Sequence, residues 1–211
     1  MQIPRSLFVY SVLYGGMTCI AGVLGNKQVA LGAGLAVEAG IFAFLLLVVL
    51  SSAVAELHGR PAADRLVRFG FVPLIVSMLL ILLVLALPPA PDMDATRLSS
   101  FQLVLGQSPR LMIAGIIAYG ISQTLNVAIF SKLRGEGGRL LWLRAAVASV
   151  LSQLVDTLLF ITIAFWGVFP IGKLLAGQAL AKVVLSALIV PPVIYAAVAI
   201  GRRLDARPAA A

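Results

Sequence analysis

The chain has 211 residues, 61% of them hydrophobic and 11% charged, against roughly 25% charged in an average soluble domain. So few charges do not cover the surface of a soluble fold, and so much apolar character excludes disorder, which leaves the bilayer as the expected solvent. The net charge of +8 reads as basic flanks of membrane spans rather than as a nucleic-acid footprint.

Taken in chain order, the charge-free runs predict six transmembrane helices, since a helix rising 1.5 Å per residue needs about 20 residues to cross the hydrocarbon. The first is expected over 6–25, after Arg5 and before Asn26-Lys27. Its length and the runs that follow favour a span over a cleaved leader. The second apolar run, Ala39 to Ala55, is short, so it is expected to borrow Leu35 to Glu38 and to cover 35–55. The third is expected over 67–88, closed by Pro88-Pro89, and the fourth over 110–131. The fifth, 144–167, is interrupted by Asp156, and the sixth, 178–201, has Lys182 near its start and Pro191-Pro192 within it, where a kink is expected. The whole chain, 1–211, reads as a single all-α integral membrane domain.

Between the spans, two readings stay open for Gln28 to Val37, which contains Gly32 and Gly34. It dips into the protein at membrane depth, where irregular backbone is tolerated only against a cavity, or it is an exposed outer loop. After the second span, Gly59 suits a helix C-cap and Pro61 a stop. Glu56 and Arg60 have the i,i+4 spacing of a helix-end ion pair. His58 is expected at the membrane interface. Pro88 to Pro109 is expected as an outer loop.

Orientation follows from the basic residues of the short loops. One side carries Arg5, Arg60, Arg65, Arg68, Lys132, Arg134, Arg139, Arg144, Arg202, Arg203 and Arg207; the other carries Lys27, Arg97, Arg110 and Lys173. The imbalance places both termini in the cytoplasm of a protein of the cell inner membrane. A lone cysteine, Cys19, excludes an intramolecular disulfide and reads as a packing residue. One histidine excludes a His-rich metal site. No phosphate-binding Gly-x-x-x-x-Gly-Lys-[Ser/Thr] loop is present, so no ATPase activity is expected of the chain itself. No cofactor is expected.

Polar groups within spans are costly and need a reason. Ser149, Ser152, Gln153 and Asp156 share one helical face of the fifth span; Tyr119, Ser122, Gln123 and Asn126 do so in the fourth; Gln178, Lys182 and Ser186 recur every four residues into the sixth. Three stripes on consecutive helices should face one another and enclose a polar cavity. For the serines, interhelical hydrogen bonding is sufficient reason. Asp156 points beyond glue, with Lys182 as its counter-ion or as a snorkelling side chain. The pattern Ser-Gln-x-x-[Asn/Asp]-x-x-x-Phe also recurs, at Ser122 to Phe130 and at Ser152 to Phe160, in helices that must run in opposite directions. There is no Ser/His pair, His-x-x-x-His or pair of carboxylates within one span, which argues against an intramembrane enzyme.

These positions together resemble the queuosine precursor transporter family, also described as vitamin uptake transporter-like membrane proteins. The residues that carry the resemblance are Asn26-Lys27, Glu56-x-x-Gly59-Arg60, Phe69-Gly70-Phe71, Ala118-Tyr119-x-x-Ser122-Gln123, Leu141-Trp142-Leu143-Arg144, and Ser152-Gln153-x-x-Asp156-Thr157 with Phe160. The sequence departs from the family at Ser52, usually acidic, at His58, usually Tyr, and at Asn126, usually Asp. The resemblance implies a six-helix bundle similar to the substrate-binding subunits of energy-coupling-factor transporters. It implies import of 7-deazaguanine precursors of the tRNA nucleoside queuosine, such as 7-cyano-7-deazaguanine, 7-aminomethyl-7-deazaguanine or queuine. A vitamin-binding subunit with a separate ATPase partner is the alternative. The candidate substrate-binding set combines the stripes with the matched motifs: Asn26, Lys27, Glu38, Tyr119, Gln123, Asn126, Trp142, Arg144, Gln153, Asp156 and Lys182. A guanine-like edge offers two N–H donors to a carboxylate, for which Asp156 or Glu38 qualifies, and an acceptor to an amide or a cation. Tyr119, Phe130, Trp142 and Phe160 are the candidate stacking faces. The partners expected are the small-molecule substrate and the lipid bilayer; the small residues of span one permit a homodimer.

Overall fold

The computed structural model describes residues 3–32, 35–106, 109–134, 140–168 and 171–206. Gly34, Arg139, Arg207 and the side chain of Lys173 lie outside the described residues. The chain forms α1 (Arg5–Leu24), β1 (Gln28–Gly32), β2 (Leu35–Glu38), α2 (Gly40–His58), α3 (Arg60–Ala86), α4 (Ala95–Leu105), α5 (Pro109–Lys132), α6 (Leu141–Phe165) and α7 (Gly172–Ala206). Six helices are long and apolar enough to cross a membrane, so the molecule is a multi-pass membrane protein. With six crossings, Arg5 and Ala206 share one face, called here the termini side.

α2 is the axis of the bundle. It touches α1, α3, α5 and α7, and α1, α3, α5, α6 and α7 follow one another around it. The reason is in its composition: it is apolar on all sides, and a helix without a polar face is a buried one. Leu47, Val48, Ala53 and Val54 of α2 have no exposed surface. α3 is the opposite case. Phe69, Val72, Val76, Leu79, Leu80 and Leu83 are exposed, as expected of a helix whose outer face meets lipid.

Four expectations are corrected. Leu35 to Glu38 do not extend the second span. They pair antiparallel with Gln28–Gly32, Val29 opposite Val37 and Gln28 opposite Glu38. The Ala39 amide closes the base on the Lys27 carbonyl at 2.7 Å. A hairpin pairs its own backbone groups, which is what a segment near membrane depth requires, and β2 packs on α7. The third span begins early. Gly59 adopts a left-handed φ of 82° that ends α2, and Pro61 sits in the first turn of α3, where its missing N–H costs nothing. Glu56 does not pair with Arg60: it meets Arg144 at 3.1 Å, while Arg60 takes Asp64 at 3.4 Å. Finally, the expected outer loop contains α4, whose N-cap Asp94 accepts a hydrogen bond from the Arg97 amide at 2.8 Å.

Two clusters close the bundle at its ends. On the termini side, the Ser6 hydroxyl donates to Asp205 at 2.7 Å and lies 2.7 Å from His58 Nε2, tying α1 and α2 to α7. On the other side, Arg110 donates to the carbonyls of Ile163 and Trp166 at 2.6 and 2.7 Å and caps α6. Cys19 packs against α3, its thiol 3.5 Å from the Pro73 carbonyl.

Candidate functional site

The three predicted stripes do meet. Lys182 Nζ lies 3.0 Å from Asp156 Oδ2, and the Ser122 hydroxyl donates to Asp156 Oδ1 at 3.1 Å. One turn further along α7 on each side, Gln178 hydrogen-bonds Glu38, and the Ser186 carbonyl accepts from Ser149 at 3.5 Å. The four-residue repeat of α7 thus serves β2 and α6 in succession. Lys182 is the counter-ion of Asp156, with both side chains below one-tenth exposed.

Above this pair, toward the hairpin, a cavity of about 310 Å³ opens between α1, α2, α3, α4, α5, α6 and α7. Most of its wall is apolar, with Phe44, Leu74, Met78, Ile81 and Phe160 among the lining residues. The polar part consists chiefly of Glu38, Asp156, Lys182, Tyr119 and Asn26. That is the usual make-up of a small-molecule site, an apolar envelope with a few convergent polar groups. Glu38 lies outside the spanning helices. Burial pushes its carboxyl above the usual range, and the nearby Lys182 and the Gln178 bond oppose that rise.

Tyr119 lies at one edge of the cavity. Its hydroxyl donates to that of Tyr14 at 2.9 Å, and the ring of Phe71 stands edge-on to it at 4.9 Å. Gly70 makes this possible, because a Cβ there would sit 2.5 Å from the Tyr14 ring and 2.6 Å from the Tyr119 hydroxyl. Deeper in the bundle lies a second polar layer. Asn126 Nδ2 donates to Ser51 and Ser52 at 3.3 and 3.1 Å, and Ser51 lies 3.5 Å from Gln123 Oε1. Ser52 and Asn126, two of the positions at which the resemblance implies a departure from the family, are therefore in contact.

The structure brings five of the expected site residues to the cavity wall: Asn26, Glu38, Tyr119, Asp156 and Lys182, with Phe160 beside them. Gln123, Asn126 and Gln153 are buried below it, and Gln153 Oε1 has no hydrogen-bond partner among the described residues. Lys27 is exposed and outside the lining. Asn26 donates to the Val104 carbonyl of α4 at 2.8 Å. Trp142 is half exposed in the first turn of α6. Arg144 lies twelve residues before Asp156 on the same helix, about 18 Å away at 1.5 Å per residue. There it pairs with Glu56, donates to the Phe130 carbonyl at 3.2 Å and stacks on the Phe130 ring at 4.3 Å. Phe130 is thereby covered as a stacking face. Sequence reasoning missed Ser51 and Ser52 as partners, Tyr14, and the contribution of α4 through Val104 and Leu105. The serine pair inside an otherwise apolar helix was the one signal for them.

The fold and cavity define a polytopic membrane protein with a cavity of small-molecule size in the half of the bundle away from the termini. The chain belongs to the vitamin uptake transporter family: the family model described as "Putative vitamin uptake transporter" matches residues 38–197. It is 35% identical over 118 residues to the "Probable queuosine precursor transporter" of Bacillus subtilis (strain 168), covering 54% of this chain and 50% of that one. It is 27% identical over 127 residues to the "Queuosine precursor transporter" of Escherichia coli (strain K12), covering 60% and 54%. The chain thus spans about half the length of the curated relatives it matches. No solved structure matches it.

Proposed function

We propose that the protein is a transporter, not an enzyme, that imports 7-deazaguanine precursors of queuosine across the cell inner membrane, with both termini in the cytoplasm. The observation that carries the reading is the cluster of Glu38, Asp156 and Lys182 at the edge of an otherwise apolar cavity. Asp156 is already engaged on both oxygens, by Ser122 and Lys182. Glu38, partly accessible and held by Gln178, is the carboxylate free to accept the two N–H donors of a guanine-like edge. Lys182 donates to the neighbouring carbonyl oxygen, and Phe160 or Tyr119 covers the ring face. The names of the two relatives support the substrate class, and the excess of basic residues on the termini side supports the orientation.

The test is ligand-induced thermal stabilisation of the detergent-purified chain, which scales as RT ln(1 + [L]/Kd). The panel is 7-cyano-7-deazaguanine, 7-aminomethyl-7-deazaguanine, queuine, guanine, riboflavin and biotin. A shift with a deazaguanine that is lost in Glu38→Gln is expected. A shift with a vitamin alone, together with co-purification of an ATPase, replaces this reading with that of a vitamin-binding subunit. The description of the matching family names vitamin uptake, which is the reason for including vitamins in the panel.

A further inference from the structure

The termini side carries a second concavity that the cavity chemistry does not use. A cleft of about 630 Å³ lies where α5 ends and α6 begins, and Arg60, Ser131, Lys132, Arg134 and Arg144 line it. Among the described residues, no acid lines it. Asp64 engages Arg60 and Glu56 engages one nitrogen of Arg144. Among the described residues, Lys132 and Arg134 have no ion-pair partner.

Two buried atoms at this cleft are unsatisfied. Arg144 is 3% exposed, yet among the described residues its Nη1 finds no hydrogen-bond partner, and neither does the buried hydroxyl of Ser131. A guanidinium nitrogen and a hydroxyl buried without acceptors cost free energy in the absence of a partner. Arg144 also lies in the first turn of α6, whose N-cap residue, Leu140, supplies no side-chain acceptor, so the helix dipole adds positive potential there. The group that satisfies a guanidinium, a hydroxyl and two exposed cations together is a tetrahedral oxyanion.

We propose that this cleft is a binding site for a phosphate group, presented by an anionic phospholipid headgroup or by free phosphate. Basic pockets between spans at a membrane face have the chemistry for such headgroups. Arg144 and Ser131 form the fixed floor, and Lys132 and Arg134 form the exposed lip.

The experiment uses the full chain purified in detergent. Retention of phosphatidylglycerol is measured by native mass spectrometry against neutral diacylglycerol, and thermal stabilisation is measured with inorganic phosphate in the absence of lipid. The reporting variant is Lys132→Gln with Arg134→Gln, which leaves the buried Arg144–Glu56 pair intact. The matched control is Arg202→Gln with Arg203→Gln, which removes the same charge from the end of α7. At about 1 kcal/mol per basic residue near an anionic surface, the lip variant should retain roughly 30-fold less phosphatidylglycerol than the wild type, and the control should not. Stabilisation by inorganic phosphate that the lip variant loses identifies free phosphate as a source; stabilisation by lipid alone identifies the headgroup. Equal losses in lip and control variants would mean diffuse surface attraction and would overturn the site. Equal retention of diacylglycerol, or no response to either phosphate source, would overturn it as well.

Discussion

Replacing Lys182 with Met leaves Asp156 buried, with Ser122 as its remaining polar partner among the described residues. Removing one partner of a buried ion pair costs about 3–5 kcal/mol, because the other charge stays desolvated. For a chain of this size, a loss of about 3–5 kcal/mol corresponds to a fall of roughly 6–20 °C in melting temperature. Asp156→Asn should fall comparably, because it orphans the ammonium. The double variant Asp156→Asn with Lys182→Met removes both charges together and should regain most of the loss, as neutral replacements of buried pairs commonly do. The assay is a double-mutant cycle on melting temperature in one detergent. If the double variant falls by the sum of the two singles, the residues are uncoupled and the reasoning fails.

Gly70→Ala should cost about 1–3 kcal/mol through overpacking, since the new methyl meets Tyr14 and Tyr119. It should also weaken ligand binding, read by the same melting assay with and without ligand. Because burial raises the Glu38 carboxyl, its contribution to stability is complete below the usual carboxylate range and is lost as pH rises through the raised value. The unliganded melting temperature should therefore fall with rising pH in that window while ligand affinity rises; Glu38→Gln should flatten both curves. Arg144→Lys keeps the charge beside Glu56 but loses the Nε–H bond to the Phe130 carbonyl and the stack on its ring. A loss of about 2–4 kcal/mol is expected by thermal denaturation, and an unchanged melting temperature would show that charge alone matters there.

The polar stripes were legible because helical period alone decides which residues share a face, and an ionised group in a span has few places to go. Asp156 and Lys182 follow from that reasoning. The hairpin was not legible: Leu35, Ala36 and Val37 are as apolar as the span they precede, and hydropathy does not distinguish a strand from the end of a helix. The partner of Glu56 was hidden for another reason. Arg60 at i+4 is the local choice, whereas Arg144 arrives from a helix far along the chain. Ser51 and Ser52 gain their polar partners only when α5 is laid against α2. The placing of Arg144 with Asp156 in one site came from shared motifs, yet a separation of twelve positions along one helix already sets the two apart by more than the length of a small ligand.

The wall formed by α3 and α4 bears on how quickly a ligand is exchanged. α3 supplies Leu74, Ser77, Met78 and Ile81 to the cavity, and its opposite face meets lipid. α4 is joined to α1 through the Asn26–Val104 hydrogen bond. Of the 27 residues of α3, the charged turns from Arg60 to Arg68 lie at the membrane face, and the charge-free run from Phe69 to Ala86 extends to about 27 Å, close to a hydrocarbon core of about 30 Å. A membrane of different thickness would therefore strain this helix against its lipids. Because the same helix walls the cavity, the residence time of a ligand should become a property that the protein shares with its lipids.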